Sequence, residues 1–376
     1  MKYFYLVAIV FLVFSGSVHA DYPPVKKHGT DKWRVAYLEG GAYYDYQLIF
    51  KQILRSLMKR GWIENQKIPD EYFKEHRKFW VWVTQNLKTE FLEFLPDGFY
   101  SSDFDQEKRI RVKQHLKDRI TTENDIDFIF AMGTWAGQDM ADAAMHVPTE
   151  VASTSDPIDS GIVKSVDDSG FDHLHAKIEP DRYKKQLKIF YDLVGFKHLG
   201  FIMEDSPEGR TYSAYSQIAE LSQEAGFKMV ICNARFSGVS QSDAESNAVT
   251  CYKDLSDEVD AVYVTVHRGV VDGNMAKIVK TLTDNGVPSF SQRGENEVEK
   301  GVLMSISQAN FSYAADFHAR AISRIFHGET PGSIPMVWNA PAKITINLET
   351  ADRIGWFPPY AILKAADRLY DNIPER

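Results

Sequence analysis

Cysteine is scarce: Cys232 and Cys251 are the only two in 376 residues. That excludes a disulfide-rich scaffold and a cysteine-built zinc cluster. A pair with a short intervening loop suits one disulfide in an oxidising compartment, or else two separately buried thiols. Positive charge is also in deficit, with 43 Lys and Arg against 52 Asp and Glu for a formal net charge of −9. Nothing global therefore attracts nucleic acid. Beyond residue 14 no run is apolar enough to cross a membrane. Enzyme signatures are missing too: no G-x-S-x-G elbow, no P-loop, and no G-x-G-x-x-G after a strand.

The beginning of the chain has the layout of a cleavable secretory signal. Met1 and Lys2 precede an apolar run from Tyr3 to Phe14, Ser15-Gly16-Ser17 breaks it, and Val18-His19-Ala20 carries small residues where a signal peptidase reads. The run is short for a membrane span. Cleavage after Ala20 is expected, giving a mature chain that starts at Asp21 in the periplasm, with no cysteine there to accept a lipid.

The remainder has the composition of an ordinary soluble globular protein and the length of two domains. Short β-branched runs alternate with helical periodicity. Strands are expected at Val35–Leu38, Phe91–Leu95, Phe128–Met132, Glu150–Thr154, Leu199–Met203, Lys228–Cys232, Ala261–Val266 and Val287–Phe290. Helices are expected over Tyr46–Arg60, Gln106–Ile120, Gly133–Met145, Arg182–Val194, Tyr212–Ala225, Ser242–Leu255 and Asn274–Asn285. Such alternation implies α/β architecture with two doubly wound, Rossmann-like lobes. The aromatic and charged segment Ile63–Trp82 breaks the rhythm and reads as an insertion.

Ligands of open parallel sheets sit beyond the carboxyl ends of the strands. That rule selects Tyr43 and Tyr44 after the first strand, then Gly133, Thr134, Trp135 and Ala136, then Ser155 and Asp156. In the second half it selects Asp205, Ser206, Arg210 and Tyr212, then His267 and Arg268, then Gln292 and Arg293. Free N–H groups at a helix start attract carboxylates, although Thr134 is equally a plain N-cap. Trp135, Tyr43 and Tyr44 offer flat surfaces to a ring, or else simply pack. Arg210, Arg268 and Arg293, all in second-lobe loops, point to an anionic group. His173 and His175 would share one face of a strand but lack a third metal ligand, so a solvated loop is expected. Asp156 with His267 has no nucleophile beside it. No catalytic residue, cofactor or metal is expected.

Several pieces recur in a recognisable order: Ser155-Asp156-Pro157, Val259-Asp260-Ala261-Val262-Tyr263-Val264, Gly286-Val287-Pro288-Ser289-Phe290-Ser291, and Ile325-Phe326-His327-Gly328-Glu329-Thr330-Pro331 before Ile334-Pro335. Ile346-Asn347-Leu348 follows, with Ala351 and Gly355. From about Trp33 to Tyr370 the chain resembles the ABC-transporter substrate-binding family that includes tryptophan- and tyrosine-type binding proteins. The resemblance implies a type I periplasmic-binding-protein fold whose chain crosses a hinge three times and whose lobes close on the ligand. It implies a first lobe of residues 31–163 and 293–330, with the strand Val302–Ile306 and the helix after it included. The second lobe is then 164–292 and 331–376. It gives the loop Gly133–Ala136 the ligand carboxylate and Asp156 the ligand ammonium. His267-Arg268 departs from the family's Asp-Asn, and Arg210 from its asparagine. These changes turn the expectation toward an amino acid, aromatic acid or dicarboxylic acid carrying extra negative charge. A monomer that hands its ligand to an ABC permease is expected. The alternatives are a periplasmic sensing subunit for a membrane signalling receptor and, further off, a secreted enzyme on a related scaffold.

Overall fold

Alternation of strands with crossover helices favours parallel pairing with helices on both sheet faces. A computed structural model describes residues 22–29, 31–69, 75–307, 312–339 and 343–374. The expected signal segment, and Asp21 after it, lie outside the described residues. The first sheet holds β1 (Trp33–Glu39), β2 (Leu92–Ser101), β3 (Phe128–Met132), β4 (Thr149–Ala152) and β5 (Leu174–Ala176). Its order is β2-β1-β3-β4-β5, parallel throughout. The second sheet holds β6 (His198–Met203), β7 (Lys228–Asn233), β8 (Ala261–Val264), β9 (Ser289–Ser291), β10 (Met304–Ser307), β11 (Lys343–Asn347) and β12 (Arg368–Tyr370). Its order is β12-β11-β10-β9-β8-β6-β7, and β10 with β11 is antiparallel.

Each sheet has an apolar core on both faces. In the first lobe Ile53, Trp62, Phe128 and Phe130 pack on one side, and Leu116, Ile129, Val151 and Leu174 on the other. In the second, Phe190, Phe201 and Phe290 lie on one side, and Ile202, Val262 and Leu282 on the other. The helices Arg182–Val194 and Tyr215–Ala225 stop at Gly195 and Gly226, both left-handed at φ 72° and 81°.

The chain crosses between lobes three times. It leaves β5 for the helix Arg182–Val194, which packs in the second lobe. It returns from β10 to the helix Ser312–Phe326, whose Ala315, Ala319 and Ile322 pack in the first. It leaves again between Met336, still in the first-lobe core, and β11. Two crossing segments are tied together where Ile178 N–H donates to the Met336 carbonyl and Trp338 N–H to the Ile178 carbonyl, at 2.8 and 2.9 Å.

Several expectations are corrected. β5 extends the first sheet past residue 163, and β10 pairs in the second sheet rather than the first, so only the helix after β10 belongs to the first lobe. Ile334 and Met336 remain with the first lobe beyond residue 330. Within the stretch read as an insertion, Ile63, Ile68, Phe79 and Trp80 are buried in the first core, and His76–Asn86 forms a helix. The helix after Gly133 ends at Met140, because Asp142 Oδ1 takes the Ala144 N–H in a local turn. Tyr212–Ala225 is two helices, Pro207–Tyr212 and Tyr215–Ala225, broken where Ala214 turns left-handed at φ 58°. His173 and His175 are buried: His175 meets Glu150, and His173 Nε2 meets the Met140 carbonyl.

Cys232 and Cys251 are disulfide-bonded, with Cα atoms 5.6 Å apart, and fasten edge strand β7 to the helix Gln241–Ser256. Closing a loop of 19 residues in the unfolded chain corresponds to about 3 kcal/mol in the chain-entropy treatment. The double variant Cys232→Ser/Cys251→Ser is therefore expected to lose about that much in urea unfolding, with near-native circular dichroism. An unchanged midpoint would show that the crosslink adds nothing.

Candidate ligand-binding site

The carboxyl ends of both sheets face each other, and the expected loops line the space between them. A cavity of about 220 Å³ is bounded on the first lobe by Asp45, Ser153, Ser155, Lys177 and His318, and on the second by Arg182, Gln292 and Arg293. A narrower one of about 40 Å³ shares Tyr43, Ser153, Ser155 and Val266 with it and is walled by Tyr46, Phe104, Tyr212, Phe236 and Arg268. The two are adjoining compartments of one cleft, one polar and one aromatic. A third hollow, at the outer mouth, touches Trp135, Ser206 and Glu208.

Buried polar atoms normally have partners. Trp135 Nε1 has none among the described residues, while the Tyr43 hydroxyl lies beside Asp45 and the Tyr212 hydroxyl beside Thr134; Tyr43, Trp135 and Tyr212 border the interlobe space. Burial pushes the Tyr43 and Tyr212 phenols up, so both remain protonated donors. Gly133, at φ 87°, is required here: a Cβ would lie 1.9 Å from Tyr46 Oη, which packs against its backbone. Ala136 is part of the core. Trp135 lies between Phe104, edge-on at 5.8 Å, and the Arg109 guanidinium, 4.6 Å from its ring.

The three arginines separate. Arg210 is exposed, pairs with exposed Asp205 at 2.7 Å and covers Tyr215, away from both compartments. Arg268 donates through Nη1 to the carbonyls of Phe236 and Val239 and faces Phe104 across the lobes at 5.8 Å. Arg293 is a latch. Its Nη2 and Nε donate to Asp45 on the first lobe at 2.7 and 3.2 Å, and Nη1 to Glu297 at 3.3 Å. Burial opposes the Arg293 charge, but Asp45, Tyr43 and Glu297 outweigh it and hold the guanidinium well above its ordinary value. Burial raises the Glu297 carboxyl, with Arg293 opposing.

Asp156 does not line either compartment. Its Oδ1 accepts from the N–H groups of Ile158 and Asp159, and its Oδ2 from Gln217 Nε2 at 2.9 Å. Gln217 in turn accepts from the N–H groups of Tyr183 and Lys184 at the start of their helix. Asp156 is thus a lobe-to-lobe strut. Gln292 is structural too, accepting from Val266 N–H and donating to the Tyr212 carbonyl. Ser206 caps its helix, and Tyr44 is 41% exposed.

His267 is an uncharged ring. Nε2–H donates to the Ala234 carbonyl at 2.8 Å, and Nδ1 accepts from Gly269 N–H at 2.9 Å. Burial brings its pKa down to about 4.

Residues not foreseen are Asp45, Phe104, Lys177, Arg182, Phe236 and His318. Lys177 and Arg182 both pair with Glu179, so two cations share one carboxylate at the polar compartment. Lys177 Nζ also lies 4.5 Å from the Trp338 ring centroid. A polar residue on an otherwise apolar helical face, His318 among Ala314, Ala315, Ala319 and Ile322, is the one sequence signal that marks this wall.

Two outcomes follow from these contacts. Replacing Arg293 with Ala strands Asp45 and Glu297, and breaking a buried pair costs roughly 3–5 kcal/mol. The lobes are expected to part, seen as a larger radius of gyration in small-angle scattering, whereas Arg210→Ala leaves scattering unchanged. Equal curves for both variants would refute the latch. His267 titrates at about 4 when folded and near 6.5 when unfolded. Its contribution is therefore complete above pH 6.5 and declines as pH falls toward 4, by about 3 kcal/mol in total. Urea midpoints of His267→Asn should show a weaker pH dependence over that window, and a slope equal to that of the unaltered chain would rule out this assignment.

Comparison with known proteins bears on the fold and the family. A tyrosine-binding protein of Clostridioides difficile (strain R20291) is 22% identical over 227 residues, 60% of this chain and 61% of that protein, so the match spans less than two thirds of the relative. An ABC domain in complex with L-Trp from Streptococcus pneumonia superposes with a TM-score of 0.64 at 19% identity, covering 89% of this chain and 99% of that one. A conserved domain protein from Vibrio cholerae gives 0.66 at 15% identity, covering 90% and 100%. At these identities the structures establish the type I periplasmic-binding fold. The model of the ABC transporter substrate binding protein family matches residues 98–369, and the chain belongs to that family.

Proposed function

We propose that this chain is an exported receptor that captures an aromatic amino acid between its lobes and passes it to a membrane permease. One observation carries the reading: the aromatic compartment draws Tyr43, Tyr46 and Phe104 from one lobe and Tyr212 and Phe236 from the other. A ring entering there gains burial on two faces. A polar head remaining in the adjoining compartment meets Ser153, Ser155 and the cation surplus of Lys177 and Arg182. The dicarboxylic alternative has less support, since Arg210 lies outside the compartments, Arg293 is engaged by two carboxylates, and Arg268, on the aromatic wall, gives Nη1 to two carbonyls. The L-Trp of the streptococcal protein and the name of the clostridial relative point the same way. Export rests on the signal-like residues 1–20, and no helix of the described residues is long and apolar enough to cross a membrane. The receptor is proposed to act as a monomer.

Ligand that binds only the folded clamp stabilises it by about 2.7 kcal/mol at a hundredfold excess over Kd. In a thermal-shift panel on ligand-stripped protein, L-phenylalanine, L-tyrosine or L-tryptophan is expected to raise Tm, and succinate and L-leucine to do so less. Flat melts with all three aromatic amino acids would remove this reading.

A further inference from the structure

An amino acid needs an acceptor for its ammonium, and Asp156 is committed to Gln217 and to backbone N–H groups. The polar compartment holds another acceptor. His318 is 1% exposed on the helix Ser312–Phe326 and lines that compartment. Its Nδ1 lies 2.5 Å from Glu150 Oε1, while Glu150 Oε2 lies 2.8 Å from His175 Nδ1. Burial works against the Glu150 charge, but the two histidines outweigh it and hold the carboxyl below its ordinary value. An ionised carboxylate only accepts, so each Nδ1 carries the shared proton. That leaves His318 Nε2 with a lone pair, and no described residue takes it. Burial draws the ring below free imidazole, with Glu150 opposing, so it is an uncharged acceptor at neutral pH. Lys177 and Arg182, which line the same cavity, share one carboxylate and suit the carboxylate end of a zwitterion.

We propose that His318 Nε2 receives the ammonium of the bound amino acid, the role that family resemblance gives to Asp156, with Glu150 as the residue that positions it. The proposal rests on the aromatic amino-acid reading above. Glu150 sets the tautomer and adds negative charge one ring away, which strengthens Nε2 as an acceptor.

The test has a ligand-free arm and a ligand arm. Histidine-selective ¹⁵N NMR of the full chain, assigned with His318→Phe, is expected to show His318 with a bare Nε2 and a protonated Nδ1 at neutral pH. A protonated Nε2 overturns the proposal. His318→Asn serves for assignment if the phenylalanine variant does not fold. In calorimetry, L-phenylalanine and L-tryptophan are each compared with 3-phenylpropionate and indole-3-propionate, which lack the ammonium. The unaltered chain is expected to prefer the amino acids by about tenfold or more, the size of one charge-assisted hydrogen bond, and the His318 variant to bring the ratio close to one. Equal affinities in the unaltered chain, or a preference that survives the substitution, refute the role of His318 and leave the receptor reading intact. Absence of binding by all four probes refutes that reading and the ammonium assignment with it.

Discussion

Glu150 has no exposed surface, and a charge placed there cannot stand without partners. Its two oxygens meet histidines from separate parts of the chain, His175 on β5 and His318 on the helix Ser312–Phe326. That helix arrives from the second lobe, so the carboxylate defines where a returning segment seats on the first sheet. Apolar residues of equal volume would hold the helix as firmly, because buried ion pairs add little net stability. What an apolar seat would lack is a nitrogen on the cleft wall. The arrangement makes sense as one that trades an easy core for an oriented polar group at the end of β4 and β5.

Cleft shape depends on a second set of charges. Arg293 reaches from the loop after β9 to Asp45 at the start of the helix Tyr44–Lys59. Asp159 takes hydrogen bonds from Ser216 at 2.9 Å and Thr211 at 3.4 Å, and Asp156 takes one from Gln217. These contacts cross between lobes, and the Arg293–Asp45 pair also forms part of the wall of the polar compartment.

The alternating rhythm made the two sheets legible, because parallel strands buried on both faces read as apolar runs: β3 is Phe-Ile-Phe-Ala-Met and β8 is Ala-Val-Tyr-Val. β5 escaped notice because three residues hold too little pattern, and its His175 looked solvated until Glu150 supplied a partner. Residues 63–82 looked inserted because their charges mask a helical face of His76, Phe79, Trp80 and Val83. β10 was misassigned to the other lobe, since pairing partners are set by the hinge crossings and not by local sequence. Of the residues the strand-end rule selects, Tyr43, Ser155, Tyr212, His267, Arg268, Gln292 and Arg293 border the two compartments. It missed Lys177 and His318, which enter from an unseen strand end and from the flank of a helix.

The arginines show why residue type alone misjudges a site. A guanidinium in a site loop signals an anion only if no protein group has already claimed it. Arg293 is claimed twice, Arg210 once, and Arg268 spends part of its fork on two carbonyls. Asp156 sits apart from both compartments, bonded to Gln217 and to backbone N–H groups. The groups that remain are those whose partners leave something over, Lys177 and Arg182 with one carboxylate between them and His318 with one nitrogen held and one bare, together with the tyrosine rings of the aromatic compartment. That remainder combines a positive charge, a neutral acceptor and an aromatic wall. A zwitterion with a ring matches all three, and a dicarboxylate matches only the first.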